Sequence, residues 1–129
     1  MIEIKSIEKN DLAKVAKECL SARLYVPKSG YLMNNQLNLI VKNKTSERHK
    51  LVVAYSDGKP VGVAMAIADY YSDYRGVYIQ TFVKKSFRRR GIGKSMVMEM
   101  KKHVDKPLWA YQGATGSEYF WEDVCVKCV

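Results

Sequence analysis

The chain has 129 residues, enough for one domain and too few for two, and its 47% apolar and 27% charged content excludes the low-hydrophobicity, high-charge signature of disorder. Lysine and arginine total 22 against 13 acidic residues, a net charge of +9 that favours a polyanionic ligand or partner. The apolar runs are far shorter than the ~20 residues a membrane helix needs, and Met1 to Lys5 has no signal-peptide layout, so a soluble, cytoplasmic protein is expected.

Ile2 and Ile4 alternate with Glu3 and Lys5, the period of a short half-buried strand reaching Ser6. Asn10 or Asp11 can cap the next segment, where Leu12, Val15, Ala16, Cys19 and Leu20 fall on one face of an amphipathic helix. Residues 26–43 carry Pro27, Gly30 and four asparagines, yet Leu37, Ile40 and Val41 allow a second, shorter helix. Residues 50–56 and 61–68 are β-like and are separated by Asp57-Gly58-Lys59-Pro60, whose Asp-Gly pair signals a hairpin. In the second of these strands Val61, Val63, Met65 and Ile67 are expected on one face. Gly62, Ala64, Ala66 and Ala68 fall on the other, a smooth face suited to a close-packed helix.

Residues 69–76 form a polar loop with three tyrosines, and residues 77–83 form the next strand. Beyond a basic turn, Met96, Val97, Met100 and Val104 make a helical apolar stripe that stops at Asp105-Lys106-Pro107. Residues 108–111 read as a strand, 117–123 as a short helix and 124–129 as a last strand. Three cysteines without a signal peptide point to reduced thiols. Cys125 and Cys128 are spaced as C-x-x-C, but residues three apart in a strand face opposite ways, so no metal or redox site is expected.

The most informative stretch is residues 83–95, Val-Lys-Lys-Ser-Phe-Arg-Arg-Arg-Gly-Ile-Gly-Lys-Ser, a glycine-containing basic turn between a strand and a helix. A helix N-terminus leaves N–H groups without partners and carries the positive end of the helix dipole, so an anion binds there. Gly91 and Gly93 would let a ligand approach the backbone. A Walker A loop is excluded because position 88, where its first glycine belongs, is arginine, and no Gly-x-Gly-x-x-Gly dinucleotide fingerprint is present.

The spacing Arg88-x-x-Gly91-x-Gly93, with Val83, Phe87 and Ile92 around it, resembles the [Gln/Arg]-x-x-Gly-x-[Gly/Ala] motif of the Gcn5-related N-acetyltransferases, the GNAT superfamily. Lys85 stands where that family often has proline and Arg89 where it often has glycine. The order strand, helix, helix, three strands, helix, strand, helix, strand is similar to the family's along almost the whole chain. The resemblance implies a single α/β (α+β) domain over residues 1–129, with a mixed, mostly antiparallel sheet of about six strands flanked by three to four helices. The family usually ends in two antiparallel strands where one is read here, so a homodimer that supplies the missing strand is a further expectation.

The resemblance also implies an N-acetyltransferase that carries the acetyl group of acetyl-CoA to a primary amine by direct attack. Phe82 and Val83 would offer backbone groups to the pantetheine arm, and Arg88, Arg89, Arg90, Gly91, Ile92, Gly93, Lys94 and Ser95 would hold the pyrophosphate. Gln80 stands near where the family often has a glutamate base, and could orient a water but not accept a proton. Trp121 stands where the family often has an acidic tyrosine, which leaves Tyr119 and Tyr111 as hydroxyl candidates.

The acceptor would dock near Tyr31, Tyr70 and Tyr71, in segments whose few acids favour a peptide or protein amine or a small metabolite over a polycation. Two alternatives stand beside this reading. One is a coenzyme A-binding protein without activity; the other is a basic module that grips nucleic acid or protein.

Overall fold

A computed structural model of the chain describes residues 1–25, 31–43, 47–68, 77–110, 117–124 and 126–128, with the side chains of residues 31, 32, 117–119, 127 and 128 left aside. Six strands form one sheet in the order β1 (Ile2–Ser6), β2 (His49–Ser56), β3 (Lys59–Ala68), β4 (Val77–Val83), β5 (Leu108–Ala110) and β6 (Lys127–Cys128). The first four are antiparallel, whereas β4, β5 and β6 run parallel. Parallel neighbours need a crossover, and helices α3 (Ile92–Lys101) and α4 (Ser117–Asp123) supply the two that occur here. The excursion between β1 and β2 holds α1 (Leu12–Ser21) and α2 (Tyr31–Asn43).

Both faces of the sheet are covered, each by its own core. Leu12, Val15, Ala16 and Cys19 of α1 and Met33, Leu37 and Ile40 of α2 pack on Leu51, Val53, Val63 and Met65. Ile92, Met96, Val97 and Met100 of α3 and Trp121 of α4 pack on Val52, Ala54, Ala64 and Ile79. Met33, Leu37 and Ile40 recur at helical spacing, which makes α2 longer than its asparagines suggest: burial of that face outweighs weak local propensity. Cys19 is buried within the first core, and burial pushes its thiol up to about 12, leaving it unreactive at neutral pH.

The β2–β3 hairpin turns on two residues, Asp57 at φ 51° and Gly58 at φ 79°, the left-handed pair that a tight hairpin requires. Lys59 and Pro60 therefore belong to the strand. A bulge follows: Ala54 pairs with Gly62 and Tyr55 with Pro60, leaving Val61 unopposed. This corrects the expected face of Val61, which joins Ala64 and Ala66 in the α3 core, while Val63, Met65 and Ile67 join the other. The small-residue face admits α3 as expected, since a Cβ on Gly62 would lie 3.2 Å from Met96 Cε.

His49 opens β2 on the α1/α2 face, only 6% exposed, with its Nε2 2.5 Å from Gln36 Oε1 of α2. Burial lowers its pKa from 6.5 to about 4, with the neighbouring Arg48 adding to the effect. The folded state thus binds the proton less readily than the unfolded chain. The stability this residue contributes is fully present above pH 6.5 and is lost as pH falls through 6.5 towards 4. Chemical unfolding at pH 7 and pH 4.5 is expected to show a loss that is smaller by about 2 kcal/mol in His49→Gln than in the parent chain. Equal losses would refute the assignment.

Candidate functional site

The register of β4 creates the site. On one side it pairs with β3 along its whole length, Ala68↔Val77 to Gly62↔Val83, but on the other it pairs with β5 only from Val77↔Leu108 to Ile79↔Ala110. Among the described residues, the β5 side of β4 is therefore unpaired from Gln80 to Val83. Burial follows the same line, since Tyr78 and Ile79 are buried and residues 80–83 are half-exposed.

Alternation decides which backbone groups face that opening. Lys84 N–H donates to Val61 O at 2.9 Å, so Lys84, Phe82 and Gln80 point their backbones at β3. Val77 N–H donates to Pro107 O at 3.0 Å, which puts Val77, Ile79, Thr81 and Val83 on the β5 side. The expected backbone role of Phe82 is thereby corrected, because its N–H and C=O are committed to Val63. Thr81, absent from the sequence reading although the period of two along a strand pairs it with Val83, is instead turned to the β5 side. Gln80 lies opposite Met65 on the α1/α2 face, one residue past the last β4–β5 pair.

Beyond Val83 the chain makes one 3-10 turn, Lys85–Phe87, and enters α3 through Gly91. Gly91 is left-handed at φ 77°, and nothing lies within 4 Å of where its Cβ would be, so the space beside it is open. Ser95 N–H is the first to reach a helical carbonyl, Gly91 O at 3.0 Å. The N–H groups of Ile92, Gly93 and Lys94 thus have no backbone acceptor among the described residues.

Gly93 answers to a neighbour: its Cβ would stand 3.1 Å from Phe120 Cε1, so the missing side chain makes room for α4. Phe120 in turn meets Trp121 edge to face, centroids 4.9 Å apart at 77°.

The cations differ in employment. Arg88 folds back, its Nε donating to Val83 O at 2.8 Å and its guanidinium lying 5.5 Å from the Phe82 ring centre. It braces the strand end and supplies charge from behind. Arg90 stacks over Phe87 at 5.1 Å, while Lys94 lies 3.5 Å from Asp123 of α4 in an exposed pair of small energetic weight.

Arg89 adopts φ 63°, where an L-residue sacrifices ~1 kcal/mol. Thermal melting is accordingly expected to rank Arg89→Gly at or above the parent and Arg89→Val below it, because a β-branched side chain tolerates this region least. Indistinguishable midpoints would exclude the left-handed turn.

Of the hydroxyl and acceptor candidates, Tyr111, Tyr70 and Tyr71 lie outside the described residues, as do the side chains of Tyr31 and Tyr119. Trp121 is 6% exposed and belongs to the core. Among the described residues there is no cluster of three metal-ligating side chains and no helix long and apolar enough to cross a membrane. Cys125 and the Cys128 side chain lie outside the described set.

The chain belongs to the acetyltransferase (GNAT) family, whose model matches residues 13–117. No curated protein matches it in sequence. Among solved structures it is similar to a possible acetyltransferase from Clostridium difficile 630, at 21% identity and TM-score 0.62, covering 98% of this chain and 91% of that one. It is similar to AAC(6')-Iy in complex with the bisubstrate analogue CoA-S-monomethyl-acetylneamine, at 18% identity and TM-score 0.63, covering 98% and 91%. It is also similar to glucosamine-6-phosphate N-acetyltransferase from Arabidopsis thaliana, at 16% identity and TM-score 0.61, covering 98% and 92%.

Proposed function

We propose that this protein is an acetyl-CoA-dependent N-acetyltransferase acting on a primary amine by direct transfer. The observation that carries this reading is the continuity of one binding track. The Thr81 backbone groups and the Val83 N–H, without partners among the described residues, lead directly to the open space at Gly91 and to the N–H groups of residues 92–94, which have no backbone acceptor among the same residues. An extended amide-bearing arm suits the strand edge, as an added strand would, and a pyrophosphate suits the helix start.

Acetyl-CoA, when bound, supplies an acetyl group activated as a thioester. The chain's own part is to orient, to neutralise and to handle protons. Thr81 N–H and C=O and Val83 N–H would align the arm along β4, while residues 89–94 would meet the pyrophosphate with amides and positive charge. Gln80, at the point where the strands part, would hold a water that relays the amine's proton to solvent, since an amide side chain does not take up the proton itself. Tyr119 and Tyr111 are the hydroxyls proposed to protonate the departing thiolate. The acceptor class we propose is a peptide or protein amine or a small metabolite, met by Tyr31, Tyr70 and Tyr71.

Acetyl-CoA at 100 times its Kd is expected to stabilise the fold by about 2.7 kcal/mol through mass action, read as a rise in melting temperature. No shift at millimolar acetyl-CoA would overturn the proposal. A second reading, coenzyme A binding without transfer, draws support from Gln80 and from the burial of Trp121, which together leave the described residues without a strong base or acid at the parting of the strands. Thiol release with a panel of amines separates the two: a thermal shift without turnover selects the second.

A further inference from the structure

A second basic feature lies apart from the turn. Helix α1 and the β2–β3 hairpin border a cleft of about 600 Å³, lined by Lys14, Lys17, Glu18 and Ser21 of the helix, Lys59 of the hairpin and Lys84 at the end of β4. The acetyl-transfer track uses none of these side chains. The ion pairs of the described residues engage Lys5, Lys9, Lys94, Lys102 and His103, and none of the four cleft lysines.

Four lysines therefore line one cleft with a single acidic residue, Glu18, among them. Lys14 and Lys17, three residues apart on one helix face, repel each other. An arrangement of this kind is relieved by a bound anion carrying several charges, each lysine acting as a point-charge donor.

Shape narrows the ligand. The volume lies within the ~300–1,000 Å³ typical of small-molecule sites, and the lysines come from three separate elements around one open cleft. An extended nucleic-acid backbone would call for a stripe. Glu18 and Ser21 add an acceptor and a hydroxyl, which suit a ligand with hydroxyl or amine donors beside its phosphates. We infer that this cleft is a second anion site, taking a compact, multiply phosphorylated small molecule independently of the turn at residues 88–95.

Inorganic tripolyphosphate is the probe, titrated calorimetrically at fixed ionic strength into the full chain, a Lys17→Gln/Lys59→Gln variant and a Gly91→Glu variant. Both lysines are exposed, so the double variant should keep the parent fold, which its melting curve verifies. Affinity is expected to fall ~10-fold or more in the lysine variant and to persist in Gly91→Glu. The reverse pattern, or no binding to the parent chain, would overturn the inference.

Two further arms identify the source of the phosphate. If the lysine variant loses affinity for coenzyme A but not for its 3'-dephospho form, the cleft is the coenzyme's own terminal-phosphate site and the independent site falls. A single-stranded oligonucleotide that binds more tightly than tripolyphosphate, with the same lysine dependence, would also overturn it by assigning the cleft to nucleic acid.

Discussion

Gly91→Glu is expected to weaken coenzyme A binding by about 100-fold or more while the fold survives. Two effects act at this position, and they separate cleanly. The left-handed φ of 77° imposes a conformational cost of ~1–2 kcal/mol on any L-residue, which lowers stability whether or not a ligand is present. The carboxylate adds a separate, larger effect on binding. With no atom of the described residues within 4 Å of the Cβ position, the new side chain starts in open space beside the N–H groups of residues 92–94.

There it both satisfies those donors and repels a pyrophosphate. At ~5 Å and an effective dielectric near 20 the repulsion is about 3 kcal/mol per charge pair. Gly91→Ala shares the strain but lacks the charge, and is expected to melt at or slightly below Gly91→Glu, whose carboxylate favours the helix start, and to bind like the parent to within ~10-fold. Calorimetric titration of coenzyme A into the three proteins tests this. Equal affinity for all three would remove the turn from the site.

The order of elements could be read from the chain because most are periodic and bounded. Ile2 and Ile4 set one strand, the Leu12 to Leu20 stripe sets one helix, and Asp57-Gly58 sets a hairpin whose two left-handed residues are found as expected. What local pattern could not give was any property set by a partner strand. The bulge that turns Val61 over arises from pairing with β2, and the lack of a partner beside residues 80–83 among the described residues arises from the register of β4 with β5. Thr81 carries no signal for that reason: its residue type is ordinary, and only the register of β4 shows that its backbone turns to the β5 side.

The two glycines of the turn show the same division. Gly91 and Gly93 are alike in sequence, yet one is required by its φ and the other by the ring of Phe120, which arrives from a helix more than 20 residues later.

Trp121→Ala is expected to remove about 3–5 kcal/mol of stability, a large share of the ~5–15 kcal/mol that holds a domain of this kind together. The indole is 6% exposed within a core that includes Ile92, Met96, Val97 and Met100, so its removal leaves a cavity between α4 and α3. A catalytic role at this position, the place the family resemblance would give to a proton-donating tyrosine, would predict a different outcome: normal melting with turnover abolished. Burial favours the structural outcome, because a proton donor must reach the thiolate.

Trp121→Tyr sharpens the distinction. It retains most of the volume and is expected to lower the melting temperature only modestly without raising the rate of thiol release. A rate gain there, or parental stability in Trp121→Ala, would refute the core assignment. The same loss should also reach the anion site through contacts already described: Trp121 steadies Phe120, Phe120 fills the notch at Gly93, and Gly93 lies in the first turn of α3. At a temperature where Trp121→Ala is still folded, its affinity for coenzyme A is therefore expected to fall further than that of Met100→Ala, a core truncation towards the other end of α3. The site and its support are thus coupled through one aromatic pair, and the comparison of these two truncations measures that coupling.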